Sequence, residues 1–376
     1  MKGYLMKLSR VLLLPAILFA LVITAFSQSA VLPDRLSPAE FSRLVTQFSE
    51  PGGEFISDNL ISNETGYVRV LDKLVELKAA GGAYIGVGPE QNFSYIARIK
   101  PRIAFVVDLR HLAVTQHLMY KAFFQLSEDR AGFISRLLSR PVAKEAKLSD
   151  AATIDELIEY FAKAKVDEKF CAANLSEVRR LITDEYKIPF GQREEEELEY
   201  LFSNFKSDGL EISFRLYRNW NYFPTLREIV IQKDKQGKGR HFLASKEEYN
   251  FLRQMQLRNL IIPVNGNFAG DKALASIGKY LKLYEVPVTA FYLSNVEQYL
   301  FGDQIFSSFA ANVKKLPIDD KSLFIRSVFE RYGTQTSYPG ELFIMQLQRM
   351  SQFVKDFDQG KYLYYGQLIS TNVIYP

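Results

Sequence analysis

Short apolar runs that alternate with helix-like segments leave a chain few folds to adopt, and this sequence follows that pattern from residue 81 onward. The stretch GGAYIGVGPEQNFSYIARIKPRIAFVVDLR, residues 81–110, holds an apolar run, a glycine turn, a helix-like segment and a second apolar run closed by aspartate. Further runs lie at Leu260–Val264, Val288–Leu293 and Leu323–Val328, separated mostly by helical patterns such as Asp271–Leu283 and Ser294–Phe301. Runs without a polar face suit strands buried on both sides. A mostly parallel sheet with helices on both faces, an α/β fold, is therefore expected.

Capping chemistry places several helix starts. In SPAE, Ser37 caps, Pro38 takes the first helical position and Glu40 reaches back, so a helix over Pro38–Phe48 is predicted. The same spacing recurs at Thr153/Glu156 and Ser245/Glu248. A helix over Val68–Ala80 should stop at Gly81 and Gly82. Residues 111–215 read as a mainly helical insertion, and Ile229–Phe242 reads as a hairpin around a Gly-Lys-Gly turn. The acidic run REEEELEYLF, residues 193–202, is a solvated helix face with no histidine near it in sequence, and no metal site is expected.

The first residues form a separate unit. Lys2, Lys7 and Arg10 precede the sixteen-residue apolar stretch Val11–Phe26, and small or polar residues follow it. That order is a secretory signal's, with cleavage expected after Ser27 and export as the consequence. The stretch contains Pro15 and is shorter than the roughly 20 residues that span a bilayer, so an uncleaved anchor is the alternative and the only expected membrane contact. Cleavage takes three positive charges with it, leaving +1 of the formal +4, which gives no basis for nucleic-acid binding. The rest, residues 28–376, is expected to be a single domain. With 47% hydrophobic content over the full sequence, the chain can build a core without disulfides, which its lone cysteine, Cys171, could not supply within the chain. Asn-x-Ser/Thr triplets begin at Asn63, Asn92 and Asn174.

The glycine turn carries the chemistry. Gly86 and Gly88 stand at the carboxyl end of the first predicted strand, where missing side chains let a ligand approach and helix-start N–H groups can hold a polar group. Asp108 closes the second strand, 20 residues after Gly88, at the distance from which an acid reaches ribose hydroxyls in nucleotide-binding α/β folds. PVNGNFAGDKA, with Asn265, repeats the order of strand, loop and helix start; FYLSNVEQYL places Ser294, Asn295 and Glu297 after another strand. SDNLISNE, residues 57–64, either brings Asn63 and Glu64 over a ligand or is an ordinary polar, helix-capping loop. In a parallel sheet these loops gather at the carboxyl edge, where ligands bind.

The glycine turn and the acid after it resemble the class I S-adenosylmethionine-dependent methyltransferases, over roughly residues 55–110 and 255–330. Two positions depart from that pattern: Tyr84 stands where the family has an acid, and Glu90 where it often has a third glycine, which bears on the contact to the cofactor's methionine part. The dinucleotide-binding pattern fits less well, because Gln91 replaces its third glycine. SDNLISNE, GVGPEQNFSYI, VNGNFAG and FYLSNVEQYL together resemble an uncharacterised bacterial family, a domain of unknown function, across most of the mature chain. That resemblance implies a methyltransferase-like, Rossmann-type fold and brings no established activity.

The chain has three scattered histidines, His111, His117 and His241, and neither a G-x-S-x-G elbow nor a phosphate-binding loop ending in Gly-Lys-Ser/Thr, so hydrolase and triphosphatase readings lose support. Methyl transfer needs mainly alignment of donor and acceptor, and so needs no triad. The resemblance to the methyltransferases implies Gly86, Gly88 and Asn92 at the polar end of a bound S-adenosylmethionine, Asp108 on its ribose, and Arg110 fixing Asp108 or contacting the base, with Asn63 and Glu64 of the polar loop closing over the cofactor. Asn265, Asn295 and Glu297 would then face a small-molecule substrate. The alternative is an exported, non-catalytic module that keeps the fold for another small ligand or a protein, and a third is a glycine turn serving geometry alone.

Overall fold

The structure, a computed structural model, describes residues 30–146, 148, 151–215, 223–329 and 342–376. The signal-like segment lies outside these residues, and no helix among them is long and apolar enough to cross a membrane. A six-stranded sheet is formed by Ala83–Gly86 (β1), Ile103–Asp108 (β2), Ile261–Asn265 (β3), Val288–Ser294 (β4), Leu323–Phe329 (β5) and Phe343–Arg349 (β6). The strands lie in the order β3-β2-β1-β4-β5-β6; the first five are parallel and β6 runs antiparallel to β5. Every residue of β1, β2 and β3 is buried, which is why their sequences carry no polar face. The expected α/β fold with a mostly parallel sheet is what forms.

The order reverses beside β1. From β1 the chain steps outward to β2 and β3, then returns to the far side of β1 to lay down β4 and β5. A crevice opens at such a reversal, outside the carboxyl ends of the strands.

Helices fill much of the rest: α1 (Pro38–Phe48), α2 (Leu71–Glu76), α3 (Gln91–Ile99), α4 (His111–Leu126), α5 (Arg130–Leu137), α6 (Ile154–Lys163), α7 (Glu168–Arg180), α8 (Gln192–Asp208), α9 (Leu226–Val230), α10 (Lys246–Leu257), α11 (Ala273–Leu283), α12 (Val296–Gly302), α13 (Phe306–Val313), α14 (Met350–Asp358) and α15 (Tyr365–Leu368). Seven of them, α4 to α10, lie between β2 and β3, and the first five fall within the predicted helical stretch, residues 111–215. Ser37, Thr153 and Ser245 cap, each accepting from the backbone N–H three residues on, at 3.1, 3.2 and 3.3 Å, but of the three glutamates Glu156 alone reaches back to its cap, while Glu40 accepts from Arg43 instead. Each such cap is worth about 1 kcal/mol.

Two expectations are corrected. The predicted hairpin over Ile229–Phe242 is instead the end of α9 followed by a turn with a single bridge, Lys233 to Gly239. Thr225 and Glu228 form a reciprocal capping box that commits Ile229 and Val230 to a helix. The helix expected over Val68–Ala80 is a 3-10 turn, Thr65–Val70, continued by α2 only to Glu76. Lys78, at φ 61°, turns the chain left-handed before Gly81 does so at φ 77°.

Candidate functional site

A cavity of about 570 Å³ opens at the strand-order reversal. Its wall includes Gly88 and Pro89 after β1, Asp108 to Arg110 after β2, Gly266 to Phe268 after β3, and Ser294 to Val296 after β4. The SDNLISNE loop supplies Asn59, Ser62, Asn63 and Glu64, and Phe55, Phe214, Tyr299 and Leu300 give it apolar surface. That volume lies within the range of cavities that enclose small organic ligands.

Six of the ten residues singled out from sequence line this wall: Asn63, Glu64, Gly88, Asp108, Arg110 and Asn295. Gly86, Asn92, Asn265 and Glu297 do not, and each has an internal task. The Asn92 amide donates to the carbonyls of Val87, Gly88 and Pro89 at 2.9, 3.0 and 2.8 Å, while its Oδ1 accepts from Tyr84 at 2.8 Å. Gly86 is bare to make room for that amide rather than for a ligand: a Cβ there would sit 1.9 Å from Asn92 Oδ1 and 2.6 Å from the Tyr84 hydroxyl. Asn265 donates to the carbonyls of Asp108 and Leu109 at 2.9 Å each, tying the end of β3 to the end of β2. Glu297 stands two residues beyond Asn295 on α12, about 200° around the helix, and pairs with Arg326 of β5.

Gly88 differs from Gly86. It holds φ 80°, where an added Cβ would meet only Asn59 Nδ2 at 3.6 Å, so its constraint is backbone conformation and its face is open. Gly86→Ala is expected to destabilise the protein by roughly 2–3 kcal/mol, combining overpacking with loss of the Asn92 bonds. Gly88→Ala should cost only the left-handed strain of about 1–2 kcal/mol. Urea midpoints of the two variants would check the order; equal midpoints would mean that Asn92 does not organise the turn.

Asp108 is committed to the protein. Its carboxylate accepts from Arg110 N at 2.9 Å, Arg110 Nε at 3.0 Å, Arg110 Nη2 at 2.7 Å and Gly88 N at 3.2 Å. These four donors use the roughly four lone-pair positions of a carboxylate. Arg110 fixes Asp108, and its Nη1 also donates to the Asp58 carbonyl. Below the turn, His117 donates from Nε2 to the Gly88 carbonyl at 2.9 Å; burial pushes its imidazole down to about 4, so it is neutral at pH 7.

Glu64, only 1% exposed, is the other buried acid of the wall. It accepts from Tyr292 at 2.7 Å, Gln91 at 2.9 Å and the Ser294 hydroxyl. Burial raises its pKa, against the side-chain donors around it that favour the carboxylate. Ser294 reaches it from φ 51° beside a register shift in β4, a conformation rare outside glycine and frequent at functional sites. Tyr292 and Gln91, which complete this cluster, were not singled out from sequence; the positive φ of Ser294 has no sequence signal.

The two departures from the methyltransferase pattern leave the cavity open. Tyr84 braces Asn92, and Glu90 turns away from the wall to accept from Ser62 N at 3.1 Å, its carboxyl raised to about 7 by burial. The acidic helix α8 does have a histidine beside it in space: His111 Nδ1 is 2.8 Å from Glu197 and its Nε2 3.4 Å from Glu194. Among the described residues no group of three or more His, Cys, Asp or Glu is placed to hold a metal ion. Of the three Asn-x-Ser/Thr triplets, Asn92 and Asn174 are buried, whereas Asn63 is half-buried in the cavity wall.

Comparison with curated proteins finds no match. The profile of one family, described as a domain of unknown function (DUF7790), matches residues 60–373, from the loop that carries Asn63 and Glu64 to the segment after the last helix. The chain belongs to that family.

Proposed function

We propose that the cavity binds S-adenosylmethionine or a related nucleoside and that the protein transfers a methyl group to an acceptor at the same carboxyl edge. The observation that carries this reading is one open cavity bordered at once by the Gly88 turn, the Asp108–Arg110 pair and the Ser294–Asn295 loop, at the point where the strand order reverses. The order β3-β2-β1-β4-β5 followed by an antiparallel strand supports a Rossmann-type assignment. Bound S-adenosylmethionine would supply a methyl group on a positively charged sulfur. The chain's part is then alignment, with Gly88, Asn63 and Glu64 at the polar end and apolar surface from Phe55, Phe268 and Tyr299.

Titrating the purified protein with S-adenosylhomocysteine, the demethylated product, is expected to give a saturable heat with one site per chain. No heat at millimolar ligand overturns the reading.

The saturated Asp108 favours a second reading, an exported non-catalytic module that keeps the cavity for another small ligand. Ribose hydroxyls reach this carboxylate only by displacing a donor, the longest being Gly88 N at 3.2 Å. Mass spectrometry of material co-purifying with the protein separates the two: a bound compound other than a nucleoside supports the module.

A further inference from the structure

The five parallel strands all start at one edge of the sheet, opposite the cavity, and the helix that leads into each of them ends there. Helix carboxyl ends favour cations. Lys78 follows α2, Lys100 caps α3, Arg258 caps α10, Lys282 stands in the last turn of α11 and Lys314 caps α13. A charge preference that is local to each helix is thus repeated five times on one face of the molecule. The segments leading into the strands, residues 77–82, 100–102, 258–260, 282–287 and 314–322, carry eight Lys or Arg against three acids, Glu285, Asp319 and Asp320. The segments leaving β1 to β4 at the cavity edge, residues 87–90, 109–110, 266–272 and 295, are balanced, with Arg110 and Lys272 against Glu90 and Asp271.

Most of the cations on the amino edge are not spent inside the protein. Lys100 pairs with Glu247 at 3.2 Å and Lys314 with Asp358, but among the described residues Lys78, Arg102, Arg258, Lys282 and Lys315 make no ion pair. All five are exposed. Val75 near the end of α2 and Leu283 at the end of α11 are exposed as well, at 48% and 60%.

The start of the described chain lies at this same edge. Arg35 Nη1 donates to the Leu257 carbonyl at 2.8 Å, Leu36 N to the Arg258 carbonyl at 3.0 Å, and Asn259 Nδ2 to the Leu36 carbonyl at 2.8 Å, all just ahead of β3. Val31, five residues earlier than Leu36, is 83% exposed. The four residues 27–30 reach at most about 14 Å, so the apolar stretch 11–26, where it is retained, leaves the protein close to the basic edge.

We propose that the amino edge of the sheet docks on a bilayer surface carrying anionic headgroups, so that the cavity, one strand length away, opens towards solution. Cations spread over five loops match a flat, diffuse negative surface, and the exposed Val31, Val75 and Leu283 suit its interfacial layer. Each cation near such a surface strengthens attachment by about fivefold, and salt screens the effect. The ligand of the cavity then arrives from water rather than from lipid.

The test is a lysine-acetylation footprint of the full-length protein, read by mass spectrometry, with vesicles of phosphatidylcholine alone or with about 30% phosphatidylglycerol. Both vesicles hold the apolar segment equally, so the comparison isolates the charged face. At about 50 mM NaCl the anionic vesicles are expected to lower acetylation of Lys78, Lys282 and Lys315 by roughly fivefold or more, leaving Lys272 at the cavity edge unchanged, and about 500 mM NaCl should abolish the difference. Replacing three exposed cations together, Lys78→Gln, Arg102→Gln and Lys282→Gln, should weaken the headgroup-dependent attachment by about a hundredfold and return Lys315 to its labelling on phosphatidylcholine. Equal labelling of the three lysines on both vesicles overturns the proposal without any variant. Protection that includes Lys272 puts the wrong face on the lipid, and a triple variant that keeps Lys315 protected assigns the contact to another surface; either result overturns it too.

Discussion

Glu297→Gln is expected to cost about 3–5 kcal/mol of stability, the range for removing one partner of a fully buried ion pair. The Glu297 and Arg326 side chains are 2% and 1% exposed, joined by Nη2 to Oε1 at 3.0 Å and by a second contact from Nε. The guanidinium also lies 5.0 Å from the Phe324 ring and 5.9 Å from that of Phe353, while its Nη1 finds no hydrogen-bond partner among the described residues. Neutralising Glu297 strands a cation among phenylalanines. Replacing both residues, Glu297→Leu with Arg326→Met, removes both charges and should recover most of the loss, because a buried pair contributes little beyond its own desolvation. Urea midpoints for the single and double variants decide it: a double variant no more stable than the single would mean that shape rather than charge is what the pair provides. The effect reaches the cavity as well, since this pair fastens α12 to β5 just beyond Asn295.

Five of the six strands were legible because burial on both faces leaves a continuous apolar run, a signal that needs no knowledge of neighbours. The sixth, Phe343–Arg349, was not. Gln346 and Gln348 alternate within it like a solvated face, yet both are buried, with amides donating to Ile369 and Tyr375 and to Tyr362 and Thr371. Those partners lie 14 to 29 residues downstream, where local pattern reading cannot see them. The site divides the same way. Gly88 and Asp108 follow from strand ends, which sequence locates well, and both line the cavity. Whether an asparagine beside a glycine turn faces a ligand or turns back on the turn's own carbonyls, as Asn92 does, depends on side-chain direction that composition and spacing leave open.

Stability should rise as pH increases from about 7 towards 10, and Lys121→Met should flatten that rise. Lys121 lies on α4, 2% exposed, with Nζ donating to the Gln256 carbonyl and placed 5.0 and 4.7 Å from the rings of Phe41 and Tyr186. Two rings over an ammonium favour the charged form by about 2 kcal/mol each at most, whereas desolvating an ammonium costs several. Desolvation wins, and burial pushes Lys121 down from 10.5 to about 7; Arg35 adds to the fall and Glu185 opposes it. Between those values the unfolded chain holds a proton that the folded chain lacks, so ΔG of unfolding climbs with pH, by at most about 1.4 kcal/mol per unit for one proton and about 5 kcal/mol over the window. Below pH 7 both states are protonated and the penalty is constant. Above pH 10 the sign reverses, because buried tyrosines such as Tyr84, Tyr95, Tyr120 and Tyr292 are held well above their ordinary value and the unfolded chain ionises first. Methionine fills much the same length without a charge to desolvate, so the variant should equal or exceed the wild type at pH 7 and lose that advantage by pH 10. Urea midpoints at pH 7, 8.5 and 10 would read this directly; a variant that keeps the wild-type slope would mean that Lys121 stays charged inside its aromatic box.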